Sequence, residues 1–246
     1  MMNISLQPEY VLSLFGFLLT NTFLTSIIVT LVLGLASWSF YLRRNENENR
    51  SIFLKCWFVV VYEALTITDS ITHNRNLSKK VLPLIATLFL FIVTSNMIAL
   101  VPGFLGSFFV MIEGREVSLL RSPNSDLTTT LALALVTVTF IQYFSISSLG
   151  FGKYLKRFIN FSGPVNFVLG FFEVLSESVR VLSFSFRLFG NVFAGEVLLL
   201  VIAFLIPYII PIPFMILEVF IGSIQALIFS MLALTYIKSS TGKHSY

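Results

Sequence analysis

Long apolar runs separated by short charged connections dominate the hydropathy pattern of this chain. About 20 apolar residues suffice for a helix to cross the roughly 30 Å hydrocarbon core of a bilayer. The pattern therefore predicts an all-α membrane protein with about five membrane helices in one integral domain, residues 1–246. The predicted spans are residues 14–42, 81–101, 127–149, 165–206 and 214–237.

The connections between the spans differ in charge and set the orientation. The connection 43–80 carries seven lysines and arginines, which places it on the cytoplasmic side. Its centre, 52–67, is apolar but flanked by charge, and is predicted to be an interfacial helix, with a re-entrant segment as the lesser alternative. The connection 106–126 is charge-balanced and is predicted to lie outside, with Glu113, Arg115 and Glu116 in a solvated loop. Its charged residues include Glu113, Arg115, Glu116 and Arg121.

The fourth apolar run is too long for one upright span. Its 42 residues would form a helix of about 63 Å, twice the thickness of the hydrocarbon core. The run must either break near Gly190, Gly195 or its polar patch, or lie strongly tilted. Prolines follow it, so we expect the last helix to fold back and complete a long tilted hairpin. These prolines are Pro207, Pro211 and Pro213.

Charged residues inside this run are the strongest functional signal. A charged side chain in mid-membrane costs about 2.5 to 3.5 kcal/mol even on the mildest scale, so such residues usually face a protein interior or watery cavity. Helical geometry places Glu196 about half a turn away from the other polar residues and about 13 Å beyond Arg187. The remaining polar residues form one stripe: Glu173, Ser176, Glu177, Arg180, Ser183, Arg187 and Asn191.

The last helix carries a second polar stripe, formed by Glu218, Gly222 and Gln225 at spacings of four and three. A fold-back near residues 207–212 would put Glu196 level with Gly222 and one turn from both polar side chains. We therefore expect a second polar cluster, shared by two helices and separated from the first by Arg187.

The segment Phe186–Asn191, read as FRLFGN, and the later Ala194-Gly195-Glu196 resemble the signature of subunit a of rotary F-type ATP synthases. The resemblance extends over most of the chain. It implies a non-catalytic, ion-translocating stator subunit of the membrane sector, CF(0), without a nucleotide site of its own. The implied partners are a ring of small proteolipid c subunits, peripheral-stalk b subunits, the rest of the F1Fo complex and the lipid bilayer.

The resemblance also implies roles for individual residues. Arg187 would face the ring carboxylates as a barrier between two offset half-channels. The family's acidic position in the last helix, histidine in some members, is Glu218 here. The outer half-channel would contain Glu196, Glu218, Gln225 and Asp126, and the inner one Glu173, Ser176, Glu177, Arg180 and Ser183, with Asn191, Gly190 and Gly222 in support.

The chemistry of these side chains fits that division. Carboxylates along a water-lined path can take up and release protons, whereas a guanidinium stays protonated and cannot relay one. Less specific interpretations remain open. Arg187 could form a structural ion pair with Glu173 or Glu177, those two and Arg180 could merely neutralise one another, and Glu196 and Glu218 could be neutral and hydrogen-bonded.

Composition excludes several other classes of function. The chain is 56% hydrophobic and 11% charged, and cytoplasmic loops explain its net charge of +4 better than nucleic-acid binding. The single cysteine excludes an internal disulfide, and neither a metal site nor a cofactor site is predicted. With no Gly-rich phosphate loop and no nucleophile–base pair, the main rival is a secondary transporter that binds an anionic substrate through Arg187.

The first 20 residues hold no basic residue, which argues against a secretory signal or an Arg-rich transit peptide. The basic connection before the second span then favours the plasma (inner) membrane of a bacterium over an organellar inner membrane.

Overall fold

The computed structural model describes residues 10–14, 17–42, 52–100, 109–112, 115–118, 121–158, 164–206 and 209–241. Five helices in these ranges are long and apolar enough to cross a membrane, which confirms the all-α membrane fold. They are α1 (Asn21–Leu42), α3 (Arg75–Leu100), α4 (Leu127–Leu149), α6 (Pro164–Leu205) and α7 (Pro211–Thr241); α2 (Ile52–Thr72) and α5 (Phe151–Phe158) complete the helices.

Two short antiparallel β-hairpins, which the sequence did not predict, accompany the helices. The first pairs β1 (Tyr10–Leu14) with β2 (Phe17–Thr20), so the first long helix begins at Asn21 rather than at residue 14. The hydroxyl of Thr20 accepts from the Phe23 N–H at 3.3 Å and supports the first turn of that helix. The second hairpin pairs β3 (Phe109–Ile112) with β4 (Arg115–Ser118), where a solvated loop was predicted.

Local signals set the ends of α4 where the sequence predicted them. The Asp126 carboxylate accepts from the Thr128 N–H at 2.9 Å and caps the N-terminus. Gly150 ends the helix with a φ of +82°, a conformation that glycine adopts without strain. Helix α2 extends five residues beyond the predicted 52–67 and is not among the five apolar helices. It packs against α3 and α7.

The long helix α6 is unbroken over its 42 residues. The break considered near Gly190 or Gly195 therefore does not occur. A straight helix of about 63 Å fits a membrane only if it lies obliquely or extends beyond the hydrocarbon core.

Helices α3, α4, α6 and α7 share one apolar core, in which the rings of Phe184 and Phe229 lie 4.7 Å apart. The register between α6 and α7 differs from the prediction. Gly195 lies beside Glu218, and α7 begins at Pro211, earlier than the predicted residue 214. Gln225 therefore lies about two turns deeper than the Glu196 level, near the level of Leu188.

Some predicted features fall outside the described residues. They are Arg43, Arg44 and Arg50 of the basic connection 43–80, Glu113 of the connection 106–126, and Pro207.

Candidate functional site

Arg187 lies on the exposed side of α6, whereas the neighbouring Phe184 and Leu188 belong to the buried side. Its guanidinium Nη2 donates to the Ser183 hydroxyl at 3.3 Å. In the described ranges no carboxylate forms an ion pair with Arg187. The alternative of a structural ion pair with Glu173 or Glu177 therefore finds no support in this geometry.

Exposed residues recur at helical spacing along α6 and include Arg187. We call this row the exposed stripe; much of its surface is apolar, with Phe186 54% and Val179 55% exposed. Gly190 leaves open space beside the arginine, since a Cβ there would meet no atom within 4 Å. The exposed stripe consists of Val179, Ser183, Phe186, Arg187, Gly190, Ala194, Leu198 and Val201.

Arg180 is held very differently, about 10 Å further toward the N-terminus of α6. Its Nη1 lies 2.7 Å from both carboxylate oxygens of Glu177, and its guanidinium carbon lies 4.2 Å from the centre of the Tyr236 ring. Both side chains of the ion pair are almost nine-tenths buried. This pair neutralises itself, as one of the less specific interpretations suggested.

The other predicted residues of the inner group differ in their exposure. Ser176 and Ser183 are exposed, and Glu173 is half-buried one turn before Glu177. The inner group thus combines one buried ion pair with the half-buried Glu173 and the exposed hydroxyls of Ser176 and Ser183 on the same helix.

A cavity of about 220 Å³ lies on the other side of Arg187, between α3, α6 and α7. It has room for several water molecules, because a water occupies about 30 Å³ in the liquid. Its polar lining comes from Glu218, Asn191 and Asn96, and its remaining walls are largely apolar. Glu218 Oε2 is buried and lacks a hydrogen-bond partner in the described part of the protein.

Two glycines let the helices approach closely enough to form this cavity. A Cβ on Gly195 would lie 2.5 Å from Glu218 Oε1, so a side chain at this position would force the carboxyl group to move. A Cβ on Gly222 would lie 3.1 Å from the Asn96 amide nitrogen. That amide donates to the Gly222 carbonyl at 3.1 Å and accepts from the Asn124 side chain at 2.8 Å.

Glu196 does not line the cavity, although it neighbours Gly195. Its carboxylate accepts from Arg121, with Nε 3.2 Å from each oxygen and Nη2 3.1 Å from Oε2. The two side chains are only 12% and 13% exposed. Arg121, which the sequence placed in the outer connection without a specific role, is thus brought onto α6 by tertiary packing.

The predicted outer group is thus spread over four places. Glu218 faces the cavity, Glu196 pairs with Arg121, and Gln225 is buried deeper, with its Nε2 unpartnered in the described ranges. Asp126 caps α4 and also accepts from the Thr22 hydroxyl at 3.2 Å, which ties it to α1.

Sequence reasoning missed Arg121, Asn96, Asn124 and Tyr236. Asn96 could have been found, because an amide inside an apolar span is itself a signal of interhelical contact. Arg121 and Tyr236 acquire their roles only through contacts with distant residues, and no local pattern marks them.

Within the described residues, no group of three or more His, Cys, Asp or Glu side chains could hold a metal ion. The arrangement is therefore one of single ionisable groups at different depths along α6 and α7. Such an arrangement can attract, hold and exchange protons, but it presents no pair of nucleophile and base.

Comparison with known proteins identifies close similarity over nearly the whole chain. A family model described as "ATP synthase A chain" matches residues 11–238. The ATP synthase subunit a of Legionella pneumophila (strain Paris) is 30% identical over 239 residues, which cover 96% of this chain and 93% of that protein. The subunit a of Moorella thermoacetica is 36% identical over 166 residues, 68% and 67% of the respective chains. That of Nitrosospira multiformis is 29% identical over 229 residues, 92% and 82%.

Proposed function

The chain belongs to the family of ATP synthase subunit a, and on that premise we propose that Arg187 separates two half-channels for protons within it. As a member of the family it is the proton-translocating subunit of the membrane sector and part of the F1Fo complex. The rival interpretation as a transporter of an anionic substrate is not favoured.

The open environment of Arg187 is the observation that carries this proposal. A cation with a hydroxyl as its neighbour, on an exposed and mainly apolar stripe, is available to a carboxylate supplied by another subunit. We propose that the partner is the ring of proteolipid c subunits, and that a ring carboxylate is held ionised while it lies opposite the guanidinium.

The two half-channels follow from the polar groups on either side of Arg187. The outer one contains Glu218 and the cavity, with Glu196, Gln225 and Asp126 around it, and Asn191 and Gly222 help to shape it. The inner one follows Ser183, Ser176 and Glu173 along α6, past the Glu177–Arg180 pair. A ring carboxylate gives its proton to one half-channel and receives the next from the other, so net flow requires rotation of the ring.

The protein is a multi-pass membrane protein. We place it in the plasma membrane of a bacterium, with the interfacial helix α2 along the cytoplasmic face and peripheral-stalk b subunits among its contacts. The basic connection 43–80 and the bacterial relatives support this placement.

The proposal is tested by ATP-driven proton pumping in vesicles that contain the whole complex with Arg187→Ala. We expect pumping to fall by at least about 100-fold while the complex assembles, because the change removes a charge from an exposed stripe rather than volume from the core. Arg187→Lys should fail as well, since a compact ammonium replaces the planar guanidinium.

Arg75→Ala is the matched control. Arg75 is also an exposed arginine at a helix, but it pairs with Asp69 at the corner between α2 and α3, far along the chain from the site. Its pumping should match that of the unmodified protein. Full pumping by an assembled Arg187→Ala complex would refute the role of Arg187.

A further inference from the structure

Two adjacent lysines, Lys79 and Lys80, lie in the second turn of α3, directly before the apolar part of that helix. Val81, which follows them, is buried in the shared core. The part of α3 from Val81 to Leu100 has about 20 residues and a length of about 30 Å, which equals the thickness of the hydrocarbon core. The two lysines therefore lie at the level where the hydrocarbon core meets the lipid headgroups.

Both lysines flank an exposed side of α3. Pro83 and Thr87 are exposed as well, and on an ideal helix Lys79 and Lys80 lie about 40° and 60° to either side of Pro83. We call these four residues the α3 face. The Thr87 hydroxyl is turned back to its own helix, 2.8 Å from the Pro83 carbonyl and 2.9 Å from the Leu84 carbonyl. The α3 face is therefore basic at its start and apolar along the membrane.

The acidic residues of the neighbouring helix α2 do not neutralise the two lysines. Asp69, near the end of α2, pairs with Arg75 instead. Glu63 is exposed and lies about 9 Å further back along α2. Neither lysine forms an ion pair with any residue that the structure describes. The α3 face thus presents two positive charges above an apolar surface.

We propose that the α3 face binds an anionic phospholipid of the cytoplasmic leaflet, with its phosphate between Lys79 and Lys80 and an acyl chain along Pro83 and Thr87. A phospholipid complements both parts of the face, because the ammonium groups attract a negative headgroup and the apolar part contacts the chain. An acidic segment of a soluble partner would complement the lysines alone. This inference goes beyond the proposed function and uses from it only the cytoplasmic placement of the corner between α2 and α3.

Fluorescence quenching in the whole complex measures lipid binding at the α3 face directly. Thr87→Cys places a thiol for a small fluorophore on the face, and Cys56→Ser removes the other cysteine of this chain. The labelled complex is reconstituted in phosphatidylcholine vesicles that contain increasing fractions of phosphatidylglycerol or phosphatidylcholine with brominated acyl chains. Bromine quenches the fluorophore only on contact. We expect brominated phosphatidylglycerol to bind at least about three-fold more strongly than brominated phosphatidylcholine.

Replacing the two lysines should abolish this preference. In Lys79→Gln/Lys80→Gln the ratio of the two binding strengths should fall to about one, because the headgroup loses both cations. The replaced side chains are exposed, so the core and the assembly of the complex stay intact. Lys55→Gln is the matched control. It also removes an exposed lysine, but one that lies about 21 Å before Asp69 along α2, and it should keep the full preference.

Three results would overturn the proposal. Equal quenching by the two brominated lipids, or a preference that survives in Lys79→Gln/Lys80→Gln, would show that the lysines select no headgroup. Absence of quenching by either lipid would show that another subunit covers the α3 face. An equal loss of preference in Lys55→Gln would assign the effect to general surface charge. None of these measurements depends on pumping, so the proposal and the role of Arg187 fail independently of each other.

Discussion

The two regions of α6 on either side of Arg187 differ in how their acidic residues are neutralised. On the inner side, Glu177 and Arg180 neutralise each other within one turn of the same helix and pack against Tyr236. On the outer side, Glu196 needs an arginine from a distant turn, and the acidic group that faces the cavity belongs to α7. A charge paired within its own helix can be stable before the helices meet, whereas the outer arrangement exists only after all four core helices have packed.

This contrast suggests which charges can change partners. Arg180 and Arg121 are both buried and paired, and Arg187 between them is exposed. Because the ion pairs on either side of Arg187 are buried, only the exposed Arg187 can form an ion pair with another subunit. Such pairing is therefore confined to the depth of Arg187 along α6.

Glu218→Gln should have the largest effect, because it removes the carboxyl group that faces the cavity. An amide cannot accept or release a proton at this position, and a positioned proton-transfer group contributes about 10²- to 10⁴-fold. We expect pumping per assembled complex to fall by at least about 100-fold. Unchanged assembly, measured by the amount of complex in purified membranes, is the control. Pumping within two-fold of normal would contradict the role of the cavity.

Arg180→Ala should act on stability instead of transport. It leaves the Glu177 carboxylate almost nine-tenths buried without its partner, which costs about 2 kcal/mol. We expect less assembled complex in the membrane but pumping per complex within about two-fold of normal. The neutral double variant Glu177→Gln/Arg180→Gln should restore assembly. A strong loss of pumping per complex in the double variant would place this pair in the proton path.

Gly195→Ala should have an intermediate effect on the outer region. The added methyl group would overlap the Glu218 carboxyl group, which lies at the end of a flexible side chain and can turn away. We expect normal assembly and pumping reduced by up to about ten-fold, since a displacement of about 1 Å at a reacting group can cost 10²-fold. Gly190→Ala, in open space on the same helix, is the comparison for a glycine with no neighbour to displace. Equal pumping in the Gly195→Ala and unmodified proteins would show that the position of the carboxyl group is not critical.

Tyr236→Leu should have the smallest effect, on the inner region alone. It removes the ring beneath Arg180, a contact worth about 1 kcal/mol, but leaves the ion pair with Glu177. We expect a slightly lower thermal stability of the complex and unchanged pumping. Tyr236→Phe keeps the ring and should match the unmodified protein in both measurements. A pumping defect in Tyr236→Phe would indicate a role for the hydroxyl that the present contacts do not provide.

Local signals allowed the sequence to predict most of the helical architecture. Helix α4 begins and ends at the predicted residues because Asp126 and Gly150 provide the cap and the stop. The long helix was placed to within one residue at each end because its apolar run is continuous. The start of α1 was predicted too early, since an apolar run that forms strands has the same hydropathy as one that forms a helix.

The site was predictable only in part, because its geometry depends on packing between distant segments. The helical spacing placed Arg187 on a polar stripe, and its exposure follows from the side of α6 that the helix packing leaves uncovered. The pairing of Glu196 with Arg121 could not be deduced, since it depends on how residues 121–126 seat against α1 and α3. The register that brings Gly195 beside Glu218 likewise depends on the packing of α6 against α7.

The continuity of α6 has a geometric consequence for the whole path. Because one uninterrupted helix carries Arg180, Arg187 and Glu196, their separations along the axis and their angular phase are fixed by the backbone. Inserting a single residue between Arg187 and Gly195 would rotate everything beyond it by about 100° and advance it by about 1.5 Å. The glycine would then point away from α7 and the Glu196 side chain away from Arg121. The helix thus fixes both the depth and the direction of these side chains, so a change of even one residue in its length would misplace them.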